Sequence, residues 1–196
     1  TFFLFFFAIG VGLFSLRYLS FDVTDILYGR EEALKNMSYY WGFYSHVLFG
    51  PIALIIGPLQ FLPKFRAKNL NLHRTLGKIY VVCCLFGGVA GFVIAFFTFG
   101  GWETSFGFIL LAVFWIYSTL QAFLSVKKGE IQEHQKWMLR SYALTLSAVT
   151  LRLWNPILTG VIGIEFLTAY AVVAWLCWVP NLAIIEWYIQ RNLSKN

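Results

Sequence analysis

The stretch "EHQKWMLRSYALTLSAVTLRLWNP", Glu133 to Pro156, is long and apolar enough to cross a bilayer as a helix, yet it holds His134 near one end and two arginines, Arg140 and Arg152. A charged side chain turned toward acyl chains is costly, so these groups need another helix, a polar cavity or the headgroup layer. The fold depends on how the rest of the chain meets that need.

The surrounding composition is that of a membrane protein. The 196 residues are 59% hydrophobic, 20% aromatic and 12% charged, with a mean hydropathy of +0.70, well outside the range of soluble domains. Six apolar stretches of about 20 residues run near 1–18, 40–62, 75–99, 105–125, 134–155 and 166–189. The expectation is an all-α integral membrane protein, a single bundle of six transmembrane helices over residues 1–196, with any site built between helices or at their ends. The first stretch, "TFFLFFFAIGVGLFSLRYL", begins without methionine or a basic leader, and is expected to be a true span rather than a cleaved signal peptide.

Lys64, Arg66, Lys68, Arg74 and Lys78, then Lys127, Lys128, Lys136 and Arg140, then Arg191 and Lys195 make eleven of the fifteen basic residues. The positive-inside rule places these three groups, and with them both termini, in the cytoplasm. The formal charge of +6 then reports topology and attraction to anionic headgroups, not nucleic-acid binding. Trp102, Trp154 and Trp187 fall near span ends, as interfacial aromatics do. Cys83, Cys84 and Cys177 have no C-x-x-C spacing and read as small core residues.

Helical periodicity sorts the polar residues. Positions offset by 4, 7, 11, 14 and 18 share a face. From His134 that face reads Met138, Ser141, Thr145, Ala148, Arg152; from His73 it reads Gly77, Tyr80, Cys84, Gly87, Gly91; from His46 it reads Gly50, Ala53, Gly57, Gln60. Each histidine therefore heads a stripe of mostly small or polar residues, and Gly87 and Gly91 form a G-x-x-x-G pair. In the expected topology His73 and His134 lie at the cytoplasmic boundary with Gln60, Arg74, Arg140, Asn181 and Glu186. His46 lies at the outer one with Trp102, Glu103, Arg152 and Glu165, so a metal site using all three histidines is excluded.

These features also have a purely structural reading: histidines that meet headgroups, arginines that snorkel, glycines that let helices approach. The sharpest functional reading is a haem b or quinone site at the cytoplasmic end. His73 and His134 would give axial nitrogens, glycine faces would admit a flat macrocycle, and Arg74 and Arg140 would pair with propionates. The positive end of each helix dipole disfavours imidazolium and keeps a nitrogen lone pair available. Hydrolase chemistry has little support, since neither G-x-S-x-G nor H-E-x-x-H occurs. A small-molecule or lipid carrier is suggested by Pro51, Pro58 and Pro180, which release backbone carbonyls within spans. An accessory or assembly subunit of a larger membrane complex, not itself an enzyme, is the remaining class.

The runs "HVLFGPIALIIGPLQF", "LHRTLGKIYV", "HQKWMLRSYALTLSAVTLRL" and "AWLCWVPNLAIIEW" resemble the bacterial predicted-membrane-protein family catalogued as domain of unknown function 2306, over about residues 40 to 190. The resemblance implies a multi-pass protein of the bacterial inner membrane. It matches His46, Gln60, His73, Arg74, His134, Trp137, Arg140, Arg152 and Asn181 as family-type residues and attaches no activity to them.

Overall fold

The computed structural model describes residues 2–20 and 31–193, and these are helical, with no strand among them. Lys195 of the basic tail lies outside the described residues. The helices are α1 (Phe2–Leu16), α2 (Met37–Gln60), α3 (Pro63–Lys68), α4 (Leu70–Ala95), α5 (Gly101–Lys127), α6 (Ile131–Thr145), α7 (Ser147–Pro156), α8 (Phe166–Leu176) and α9 (Val179–Asn192), with single turns at Arg17–Ser20 and Glu31–Leu34 and a π-helical turn at Ile157–Val161. Four helical stretches are long and apolar enough to cross a membrane: α2, α4, α5, and α8 with α9 over Phe166–Asn192. The protein is thus a multi-pass helical membrane protein. In lipid every backbone N–H and C=O must be satisfied within its own segment, and continuous helix does this.

The fifth apolar stretch forms helix as expected but in two pieces, α6 and α7, divided at Leu146. The interruption is slight, since the N–H of Leu146 still donates to the Tyr142 carbonyl and Thr150 N to Leu146 O. Its basic side chains, His134, Lys136, Arg140 and Arg152, together with polar residues such as Gln135, Ser141 and Asn155, lower the hydropathy of this stretch below that of the four apolar spans. Helix α5 reaches beyond its apolar run at both ends and α4 begins ahead of its own, because polar residues such as Asn71 and Thr75 interrupt hydropathy without interrupting helix, while α4 ends at Ala95, short of the expected residue 99.

The chain divides into two compact units, Thr1–Ile94 and Ala95–Asn196. In the first, Asn36 caps α2: its side-chain oxygen accepts from Ser38 N at 2.9 Å and Tyr39 N at 3.3 Å. Helix α1 packs along α2, with Gly12 seated against Ile55. Gly42 meets Ile94 and Val93 of α4, and Phe49 stacks on Phe86 at 5.3 Å between ring centroids. Pro63 opens α3, where a missing N–H removes no intrahelical bond.

In the second unit α5 is the spine, with α6 and α8 packed on it and α9 packed on α6. Gly100 and Gly101 enter α5 at φ 84° and 83°, a backbone region glycine adopts without a Cβ penalty. Gly107 lets α8 approach so closely that a Cβ there would lie 3.1 Å from the carbonyl oxygen of Ala174 and 3.1 Å from Trp175 Nε1. The nearest obstacle is backbone, which cannot rotate away. Gly107→Ala is expected to destabilise the protein by about 1–3 kcal/mol, measured as loss of thermal stability in detergent, whereas Gly160→Ala, which meets nothing within 4 Å, should leave it near wild type.

Candidate functional site

The His134 face of α6 lies against α5, and the contacts are polar. The hydroxyls of Ser141 and Thr119 are 2.7 Å apart, and Trp115 Nε1 donates to Thr145 Oγ1 at 2.8 Å. His134 Nδ1 lies 2.8 Å from the carbonyl oxygen of Ala122. A carbonyl can only accept, so Nδ1 carries the hydrogen, and in the neutral ring the lone pair sits on Nε2. The partner face on α5 reads Trp115, Ser118, Thr119, Ala122, Ser125, all buried. Its 3-and-4 spacing is visible in the sequence, and a search of stripes without histidine finds it.

Arg140, six residues beyond His134 on the same helix, is held from two sides. Its Nε bonds to Glu186 Oε1, its Nη2 donates to Glu186 Oε2 at 3.0 Å, and its guanidinium carbon lies 4.4 Å from the Trp137 ring centroid. This two-pronged ion pair joins α6 to α9 and satisfies the charge that the sequence leaves to be explained. Asn181 adds a second tie between the same regions: its Nδ2 lies 2.9 Å from Cys177 O, 3.2 Å from Ala143 O and 3.2 Å from Thr150 Oγ1. Arg152 turns back on its own helix, where Nη1 donates to Ala148 O at 2.9 Å. Glu165 caps α8, its carboxylate accepting from Thr168 N. Hydrogen bonds from the backbone N–H groups of Leu167 and Thr168 hold its pKa below the ordinary carboxylate range. Trp102 is exposed near the start of α5 and Trp187 in α9.

The first unit holds the other two histidines. His46 Nδ1 is 2.8 Å from the carbonyl oxygen of Gly87, and a Cβ on Gly91 would sit 3.2 Å from the same nitrogen. Gln60 fills the place opposite Gly77, with its Oε1 3.4 Å from where a Cβ would be. The glycine face of α4 therefore accommodates His46 and Gln60 of α2. Gln60 is 5% exposed, and its Nε2 is buried with no hydrogen-bond partner. His73 is half-buried one turn before Gly77, with Nδ1 shielded from solvent, and Arg74 is exposed.

His134, Arg140, Asn181 and Glu186 thus gather in the second unit, and His46, Gln60, His73 and Arg74 belong to the first. Among the described residues no three His, Cys, Asp or Glu side chains converge as a metal-binding group. Cys83, Cys84 and Cys177 are buried and not joined in disulfides, in keeping with their reading as small core residues.

These features define a multi-pass helical membrane protein whose polar residues are drawn into helix contacts. The chain belongs to the family described as predicted membrane protein (DUF2306), whose sequence profile matches residues 43–189. It is also similar to the Ava biosynthesis cluster protein G of Aspergillus versicolor, at 39% identity over 49 residues. That stretch covers 25% of this chain and 14% of the fungal protein. No solved structure matches the chain.

The Arg140 ion pair makes a quantitative test. Its side chains are 18% and 35% exposed, so solvent tempers the penalty of stranding one charge. Glu186→Leu is expected to cost about 1–2 kcal/mol in denaturant or thermal unfolding, and the double variant Arg140→Leu with Glu186→Leu should recover most of that loss.

Proposed function

We propose that this protein is a haem b-binding electron-transfer protein of the bacterial inner membrane, with His134 as an axial ligand. The observation that supports it is the hydrogen bond from His134 Nδ1 to the Ala122 carbonyl. A carbonyl acceptor on the far ring nitrogen fixes the tautomer and aims the Nε2 lone pair, which is how ligating imidazoles are held. No hydrogen bond from the described residues engages that Nε2. His134 is thus the member of the sequence-derived set whose local geometry suits haem. Arg140 is committed to Glu186, and α4 offers its glycine face to α2. Haem would supply one-electron chemistry when bound; the chain's part is to present one oriented nitrogen.

A quinone in place of haem draws support from one feature, the unsatisfied buried Nε2 of Gln60, a donor suited to a quinone carbonyl. The two readings differ in colour. Protein purified from haem-replete cells is expected to show a Soret band and split visible bands, both lost or shifted in His134→Ala. A colourless, folded preparation would remove haem and leave the quinone, carrier and accessory-subunit readings.

The proposal includes six spans with both termini cytoplasmic, supported by the four long apolar helices, the apolar α1 and the distribution of Lys and Arg. Ala67 and Glu103 are exposed and follow opposite ends of α4. Single cysteines placed there are expected to react with impermeant reagents from opposite sides of the membrane; reaction from the same side would overturn the orientation.

A further inference from the structure

The two basic connectors differ in a way that net charge conceals. After α5, three of the four cations have partners, Lys128 being the exception. Lys136 donates to Glu133 at 2.8 Å, Arg140 pairs with Glu186, and Lys127 lies over the Phe123 ring at 5.6 Å. Glu130 sits in the same connector. Between α2 and α4 there is nothing of the kind. Lys64, Arg66, Lys68, Arg74 and Lys78 are all exposed, and no ion pair among the described residues engages them. No acidic residue occurs from Ala33 to Trp102.

The shape of this connector suits a membrane boundary. It joins two helices of membrane-spanning length, so its cations stand where one of those helices leaves the bilayer and the next enters. Lys64 and Lys68 are one turn apart on α3, and Arg74 and Lys78 are one turn apart on α4, giving two pairs of adjacent positive charges. Leu70 and Leu72, between the pairs, are 47% and 42% exposed, so apolar side chains are offered beside the charges. A surface that presents unneutralised cations and exposed leucines together matches the headgroup and upper acyl region of an anionic lipid.

We propose that the α2–α4 connector is an anionic-phospholipid binding surface, and that the connector after α5 is not. The lipid phosphate takes the Lys64 and Lys68 charges, which share one face of α3, with Arg66, Arg74 and Lys78 extending the positive surface. The assignment rests on the membrane reading alone and is independent of the haem proposal.

The test compares matched variants. Wild-type protein, Lys64→Gln/Arg66→Gln/Lys68→Gln, and Lys127→Gln/Lys128→Gln/Lys136→Gln are purified in mild detergent. Each is titrated with phosphatidylglycerol or phosphatidylcholine, and bound lipid is read by native mass spectrometry. Each interfacial charge is worth about fivefold in binding at low salt, so the first variant is expected to hold phosphatidylglycerol roughly a hundredfold more weakly than wild type. The second should stay within about threefold of wild type, and Lys64→Arg/Lys68→Arg should bind as wild type does. Equal losses in the two Gln variants would overturn the proposal, as would equal retention of phosphatidylcholine by wild type. Displacement of the lipid by an equal concentration of inorganic phosphate would mark a free-anion site and overturn it too. If the connector variant fails to fold, wild-type retention of phosphatidylglycerol must fall as salt is raised; salt-independent retention sinks the assignment.

Discussion

The constraint from which most of this structure follows is that a polar helix face within a bilayer must be matched by another helix. Helix α6 carries such a face, and α5 supplies the match residue by residue: Ala122 O for His134, Thr119 for Ser141, Trp115 for Thr145. Once that pair is joined, α8 closes on α5 where Gly107 permits it, and Glu186 of α9 meets Arg140. The first unit solves the same problem with backbone instead of hydroxyls, since the imidazole of His46 finds a main-chain oxygen on α4. Hydrogen bonds between membrane helices contribute modestly one at a time, so register here comes from several short contacts repeated at helical spacing.

Much of this was legible in the sequence. The apolar runs locate α2, α4 and α5 to within a few residues, because a span is a length requirement that composition alone reveals. The histidine stripes identify the contact faces of α2, α4 and α6 for the same reason, that periodicity survives whatever partner the face meets. The identity of the partner was less accessible. Nothing in the run "HRTLG" says that Gly77 makes room for Gln60, and no spacing rule links Arg140 to Glu186, 46 positions away. Periodicity specifies a direction on one helix; pairing is a property of two.

Glycine shows why that distinction matters for function. On α4 the glycine face reads as space for a flat ligand, and in the fold His46 and Gln60 of α2 occupy it. The same residue type on α5 lets backbones of two helices come together at Gly107. A small residue marks closeness, and what comes close is decided by the neighbour's length and polarity. On α6, by contrast, the His134 imidazole is oriented by the Ala122 carbonyl of the neighbouring helix.

The partnership of α5 with α6 has a consequence for biogenesis. A segment bearing Arg140, Arg152, His134 and Lys136 partitions poorly into lipid by itself, since an arginine opposes insertion by about 2.5–3.5 kcal/mol at the middle of a span and by less toward its ends. Its complement is the segment synthesised immediately before it, across a turn at Lys128–Glu130 with Gly129 at φ 81°. The two therefore leave the insertion machinery best as a preformed hairpin, hydroxyls already matched, while the guanidinium of Arg140 waits for a carboxylate made 46 residues later. Order of synthesis and order of charge neutralisation are thus linked, and a helix made later completes the electrostatics of one already in the membrane.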